Sequence, residues 1–347
     1  MTLKSTSAAM RFAAASVLVA TTALLGGCGT YEPINPAYFN IEQGQLPTPN
    51  TTLNIAGLGP CTDNPDRSLH LDASKPVHVL VHGCFGSSGQ FRGLAQVLAF
   101  HGQQTACYTY DDRARLSKVA SDLQQAMGQL AAQTRAPQIT LIGHSQGALI
   151  ARKSMTESIS QTSPVGPSSL RLVTISGPFS GIDSARTCGK SWLYPLSIGL
   201  LPLSCYIATG PKWADITFSS RFIREPGTLA PQVTDYLKID TDERNTCRRE
   251  EGGRCVEDDD IFTLAEQRQA AVETDTRTRR VEVNAGHVEI VGDKRVAPTK
   301  LISVLQEQGV LRPTPVAQLP AFRQLLARVY ETAPATQQNQ PKTASQP

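Results

Sequence analysis

The chain has 347 residues, a formal net charge of +3 and a hydrophobic fraction of 40%. This length suits one large α/β domain plus tails. The near balance of charge, with no concentrated basic patch, excludes nucleic acid and acidic macromolecules as expected partners.

The chain opens with Lys4 and Arg11, an uncharged apolar stretch from Phe12 to Leu25, then Gly26-Gly27-Cys28. A short basic segment, an apolar core and small residues before a cut site describe an export signal. The apolar run is too short for a comfortable membrane span. Leu25-Gly26-Gly27-Cys28 resembles the lipobox of bacterial lipoproteins, which implies removal of residues 1–27 and acylation of Cys28. Gly29, rather than Asp, follows the cysteine and resembles outer-membrane sorting, so the expected location is the bacterial cell envelope, lipid-anchored. Residues 28–52, rich in Pro, Asn, Gln and Thr, read as a tether, and residues 332–347 as a disordered tail. The folded domain is expected over residues 53–331.

Within that domain Val77–Val81 is a buried-strand run, Phe91–Phe100 has helical periodicity, and Gln104–Tyr110 is a second strand. Ser117–Thr134 reads as a helix. Ile139–Ile142 is the third strand, and an amphipathic stretch from Ala148 to Ile159 follows it. Leu170–Ser176, Val233–Asp240 and Arg280–Asn284 read as strands, with helical stretches over Ile261–Thr274 and Pro298–Gln308. This alternation predicts an α/β fold with a mainly parallel central sheet and helices on both faces.

Eight cysteines in an exported chain point to disulfides. Cys247 and Cys255 bracket a loop with Gly252-Gly253 and are expected to close a hairpin. Cys188 and Cys205 bracket an apolar segment that they would pin. With Cys28 acylated, Cys61, Cys84 and Cys107 remain, so one thiol is expected to be free.

The chemistry centres on Gly143-His144-Ser145-Gln146-Gly147, placed between a strand and a helix. In that context G-x-S-x-G holds a serine on a strained turn above a helix N-terminus. Ser145 is the expected nucleophile. Of six histidines only His287 follows it, in a Gly-containing loop just past a strand, and it is the expected base. Candidates for the orienting acid are Asp240, Asp242, Glu243 and the run Asp258-Asp259-Asp260. The oxyanion hole needs two backbone amides. Gln146, after the nucleophile, supplies one, and the loop His82-Gly83-Cys84-Phe85-Gly86 is the source of the other. His82 is expected to support that loop and His144 to pack beneath the turn.

With these motifs the chain resembles an α/β-hydrolase of the bacterial lipase and esterase type, from about Pro76 to Val310. The loop resembles the His-Gly-x-x-Gly loop of those enzymes, which makes Cys84 the second oxyanion donor. Their acid commonly precedes a small or polar residue and two apolar ones. Asp259-Asp260-Ile261-Phe262 is similar and places Asp259 in that role, 28 residues before His287, with Asp242 and Asp260 as alternatives. The resemblance implies hydrolysis of acyl esters or lipids through an acyl-enzyme, without metal or organic cofactor. A thioesterase or acyltransferase with the same triad, or a non-catalytic envelope lipoprotein on this fold, are the rival readings.

A long insertion, residues 181–232, separates two strands, and Trp192–Ala208 within it has no charged residue. It reads as a lid over an acyl pocket, as a membrane-dipping surface, or as an extra core layer.

Overall fold

The computed structural model describes residue 41 and residues 44–84, 86–157, 168–183 and 210–330. Five strands carry the site. They are β4 (Val77–Val81), β6 (Gln138–His144), β7 (Ser169–Ile175), β8 (Val233–Asp242) and β11 (Thr278–Asn284). With β5 (Gln104–Tyr108) and the short β2 (Leu58–Gly59) they form one sheet in the order β11-β8-β7-β6-β4-β5-β2. Every neighbouring pair is parallel except β2 with β5. Outside this sheet lie two antiparallel ribbons, β1 (Thr51–Leu53) with β3 (Leu69–Leu71) and β9 (Cys247–Glu251) with β10 (Arg254–Asp258).

Alternation along each strand divides the core in two. Val79, Leu141, Leu172 and Tyr236 face one side, where α2 (Leu116–Gln133) and α3 (Gln146–Ser154) pack. Leu80, Ile142, Val173 and Leu237 face the other, against α1 (Arg92–Phe100), α8 (Thr299–Glu307) and α9 (Leu319–Val329). Because both faces are covered, the central strands read as continuous apolar runs; all five residues of β4 are buried. After β4 the chain steps outward to β5 and then returns to place β6 on the other side of β4. The carboxyl ends of β4 and β6 therefore flank a topological switch point, where open α/β sheets place their ligands.

The expected helix over Ala148–Ile159 ends earlier, at Ser154, and Thr156 bridges to Leu229. The stretch Ile261–Thr274 is two short helices, α6 (Leu264–Gln267) and α7 (Ala270–Glu273). A capping box of Thr263 and Glu266 starts α6, and extended backbone at Arg268 ends it. Of the insertion, α4 (Trp213–Ile216) and α5 (Arg221–Arg224) are described, and Ile216, Phe222 and Ile223 join the core. Trp192–Ala208, the segment with three readings, lies outside the described residues, as do Cys28, Cys188 and Cys205.

Cys247 and Cys255 are bonded and staple the β9–β10 hairpin, whose turn has positive φ at both Gly252 and Gly253. The expectation that the odd thiol lies among Cys61, Cys84 and Cys107 is corrected here. Cys61 pairs with Cys107, Cys84 is also disulfide-bonded, and none of the described cysteines is free. Burial brings Cys61 and Cys107 together, because the loop after β2 folds back onto the strand β5 that β2 itself pairs with.

Candidate active site

Ser145 stands between β6 and α3 with φ 57° and ψ −126°, a conformation unusual for a residue with a side chain. The two motif glycines make that turn possible. A Cβ on Gly143 would lie 2.3 Å from the Gly147 carbonyl oxygen, and one on Gly147 would lie 2.3 Å from the Val81 oxygen. Backbone has to pass backbone at both points, so no side chain fits. The Ser145 amide donates to Ile175 O at 2.9 Å, which ties the turn to the end of β7.

His287 follows β11, and the ladder determines where it lands. Asn284 pairs with Asp242 at the end of β8, so the loop from Ala285 runs alongside the residue after Asp242. That residue is Glu243. His287 Nδ1 donates to Glu243 Oε1 at 2.9 Å, with both side chains buried. His144 packs against the His287 ring, centroids 4.7 Å apart, and its Nε2 donates to the His287 carbonyl at 3.0 Å. No hydrogen bond joins Ser145 Oγ to His287 among the described residues. Such contacts commonly tighten only when substrate is bound.

The acid beside the imidazole is thus not Asp259, the residue expected from sequence. Asp259 is buried, but its carboxylate accepts the amides of Val288, at 2.9 Å, and Glu289, at 2.9 Å. Its carbonyl accepts the His287 amide at 2.9 Å. It caps the turn that carries the histidine and leaves the ring to Glu243. Burial pushes the Asp259 carboxyl above its ordinary value, against the pull of the Glu289 and Val288 amides. Asp242 is paired instead with Arg244, at 2.6 Å and 2.7 Å, and Asp260 is mostly solvated. The signal that identifies Glu243 is its place directly after a parallel strand, at the sheet end where the site forms.

Glu243 is surrounded by donors. Ser176 Oγ reaches Oε1 at 2.7 Å and Thr241 Oγ1 reaches it at 2.8 Å. The amides of Ile261 and Phe262 each donate to Oε2 at 2.7 Å. Burial pushes the carboxyl up, but His287 and these donors outweigh it and hold it below the ordinary carboxylate value. It is therefore an anion at neutral pH despite its burial.

The loop after β4 lies against the serine. A Cβ on Gly83 would be 3.0 Å from Ser145 Cβ and 3.5 Å from its Oγ. His82 supports the loop as expected: its Nδ1 donates to Gly83 O at 2.9 Å, and its ring stacks on Tyr110 with centroids 4.2 Å apart. Burial pushes His82 down to about 4, so it is neutral at physiological pH. Tyr110 in turn donates to His82 O at 2.7 Å and accepts from the Gln146 side chain at 3.4 Å. The Gln146 amide opens α3, where no carbonyl lies one turn back to occupy it. Cys84 is held by its disulfide, and the buried Lys212 donates to its sulfur at 2.9 Å while pairing with Asp112 at 3.4 Å.

Residues 106–189 match the model of a family described as an alpha/beta hydrolase of unknown function (DUF915). The chain is also similar in structure to the propeptide form of the Bacillus licheniformis lipase BlEst2. That likeness has a TM-score of 0.50 and 14% identity, over 77% of this chain and 55% of that one. This chain has the α/β-hydrolase fold. The chain is similar, too, to the mature form of BlEst2, at a TM-score of 0.48 and 15% identity over 76% of this chain and 99% of that one. Inhibited esterase B from Lactobacillus rhamnosis aligns at 0.44 and 12% identity, over 93% and 98% of the two chains. No functionally curated protein matches the sequence.

Proposed function

We propose that this hydrolase cleaves carboxylic esters through Ser145, His287 and Glu243. The observation that carries the reading is the buried His287–Glu243 pair, at 2.9 Å, packed through His287 on His144, the neighbour of a serine held in a strained strand-to-helix turn. His287 Nε2 takes the Ser145 proton as Oγ attacks the ester carbonyl, and then returns it to the leaving alcohol. Glu243 stays ionised, holds Nδ1–H and stabilises the imidazolium. The amides of Gln146 and Cys84 receive the developing oxyanion, and loss of one such donor typically costs ~10²–10³ in rate. Water, activated by the same histidine, then releases the acyl group from Ser145.

A fluorophosphonate is expected to label the wild-type chain once, on Ser145, and to leave Ser145→Ala unlabelled. Mass spectrometry of the adduct reads the site, and a Ser145→Ala chain that still turns over short-chain nitrophenyl esters would sink the assignment. We also infer that Cys28 carries the lipid, from Leu25-Gly26-Gly27-Cys28. Cys28→Ser is then expected to move the protein from the membrane pellet to the soluble fraction, and an unchanged pellet argues against the anchor.

A further inference from the structure

Glu243 has more donors than it has room for. His287 Nδ1, Ser176 Oγ and Thr241 Oγ1 approach Oε1, while Ile261 N and Phe262 N approach Oε2. A carboxylate offers about four lone-pair sites. The surplus resolves through Ser176, because Thr241 Oγ1 also lies 2.8 Å from Ser176 Oγ and can donate there. Thr241 is itself clamped by the buried Gln267, whose Oε1 accepts the Thr241 amide at 2.8 Å and whose Nε2 donates to the Thr241 carbonyl at 2.7 Å. Ser176 Oγ is also 2.9 Å from His287 Nδ1, so one hydroxyl touches both members of the pair.

The backbone at Ser176 adds an independent observation. Its φ is +47°, a region that favours glycine, yet the position carries a fully buried serine. Its amide is fixed by Ile239 O at 2.9 Å, between β7 and β8. A strained residue whose hydroxyl points into the His287–Glu243 pair is what a functional constraint looks like.

We propose that Ser176, oriented by Thr241, is a positioning residue for the Glu243–His287 pair. Thr241 donates to Ser176 and Ser176 donates to Glu243. This fixes the carboxylate rotamer and keeps it ionised while the histidine cycles between neutral and cationic forms. The inference rests on the triad reading above.

The test compares Ser176→Ala, Ser176→Gly and Thr241→Val with Glu243→Gln in the full mature chain, by steady-state ester hydrolysis across pH. Loss of a hydrogen bond to a charged group lowers kcat by about tenfold to a hundredfold in both Ser176 variants, with KM nearly unchanged. The acid limb of kcat/KM moves to higher pH, because a Glu243 carboxylate that has lost one donor pulls more strongly on the proton that His287 carries. Ser176→Gly relaxes the backbone, so a residue that served the turn alone would keep wild-type kcat and pH profile as glycine. That result overturns the proposal. Thr241→Val is expected to shift both quantities in the same direction by less. Added to Ser176→Ala it costs little more, since the two hydroxyls act in series, and fully additive losses overturn the relay. Wild-type activity in Glu243→Gln would instead overturn the triad reading, and a dead Glu243→Gln with an unaffected Ser176→Ala removes only the relay.

Discussion

Glu243→Gln is expected to lower kcat for ester hydrolysis by about 10³–10⁴-fold, while Asp259→Asn lowers it about tenfold or less. The amide has the shape of the carboxylate but lacks its charge, and its NH₂ can stabilise the wrong histidine tautomer. It also cannot accept from all of the hydroxyls and amides that converge on Glu243. Asp259 works differently. Among the described residues its carboxylate accepts only from the amides of Val288 and Glu289, and an Asn oxygen can still serve that turn. Single-turnover and steady-state rates with a nitrophenyl ester measure both variants, with circular dichroism to confirm folding. The reverse ranking, with Asp259→Asn the more damaging, would return the acid role to Asp259.

The second large effect concerns stability. Lys238→Met is expected to destabilise the fold by about 3–5 kcal/mol, and the double variant Lys238→Met/Asp240→Leu to recover most of that loss. Lys238 and Asp240 are two residues apart on β8, on the face shared with Tyr236, and both are buried. The ammonium bonds Asp240, lies 3.1 Å from Glu273 Oε1, and sits 5.5 Å from the Phe179 ring centroid. Arg268 and Arg280 approach the other Asp240 oxygen only at 3.8 and 3.9 Å. Burial pushes the Asp240 carboxyl up and Lys238 is the main force against it, so removing the lysine strands a buried acid. Replacing both partners with apolar side chains removes the desolvation cost along with the attraction. Denaturant midpoints for the single and double variants measure the difference. Equal losses in both would mean that packing volume, rather than the ion pair, sets the effect.

The β8 region also explains why the sequence pointed to a different carboxylate from the one that meets His287. Asp259-Asp260-Ile261-Phe262 is similar to a lipase acid motif, and the disulfide-closed hairpin before it reads as an insertion that merely delays the acid. In the fold the carboxylate that meets His287 precedes the hairpin. The β8–β11 register aligns Asp242 with Asn284 and so brings Glu243 beside the His287 loop, and the hairpin then returns Asp259 to cap that loop. Periodicity cannot see register, which depends on how two distant strands slide against each other. Ser176 was legible only as the end of a strand. Its positive φ and its place between His287 and Glu243 exist only once β7, β8 and the loop after β11 are assembled.

By itself the amino-acid sequence determined the turn at Ser145, the glycines that permit it, the alternating sheet and the one histidine able to follow. These are local properties: two glycines without side chains, apolar runs covered on both faces, and a short loop at a strand end. Tertiary structure alone decided which carboxylate meets His287, that Cys61 pairs with Cys107, and that a strained serine stands beside the acid. Each of these depends on the relative placement of segments far apart in the chain, set by strand register and close packing rather than by any short motif.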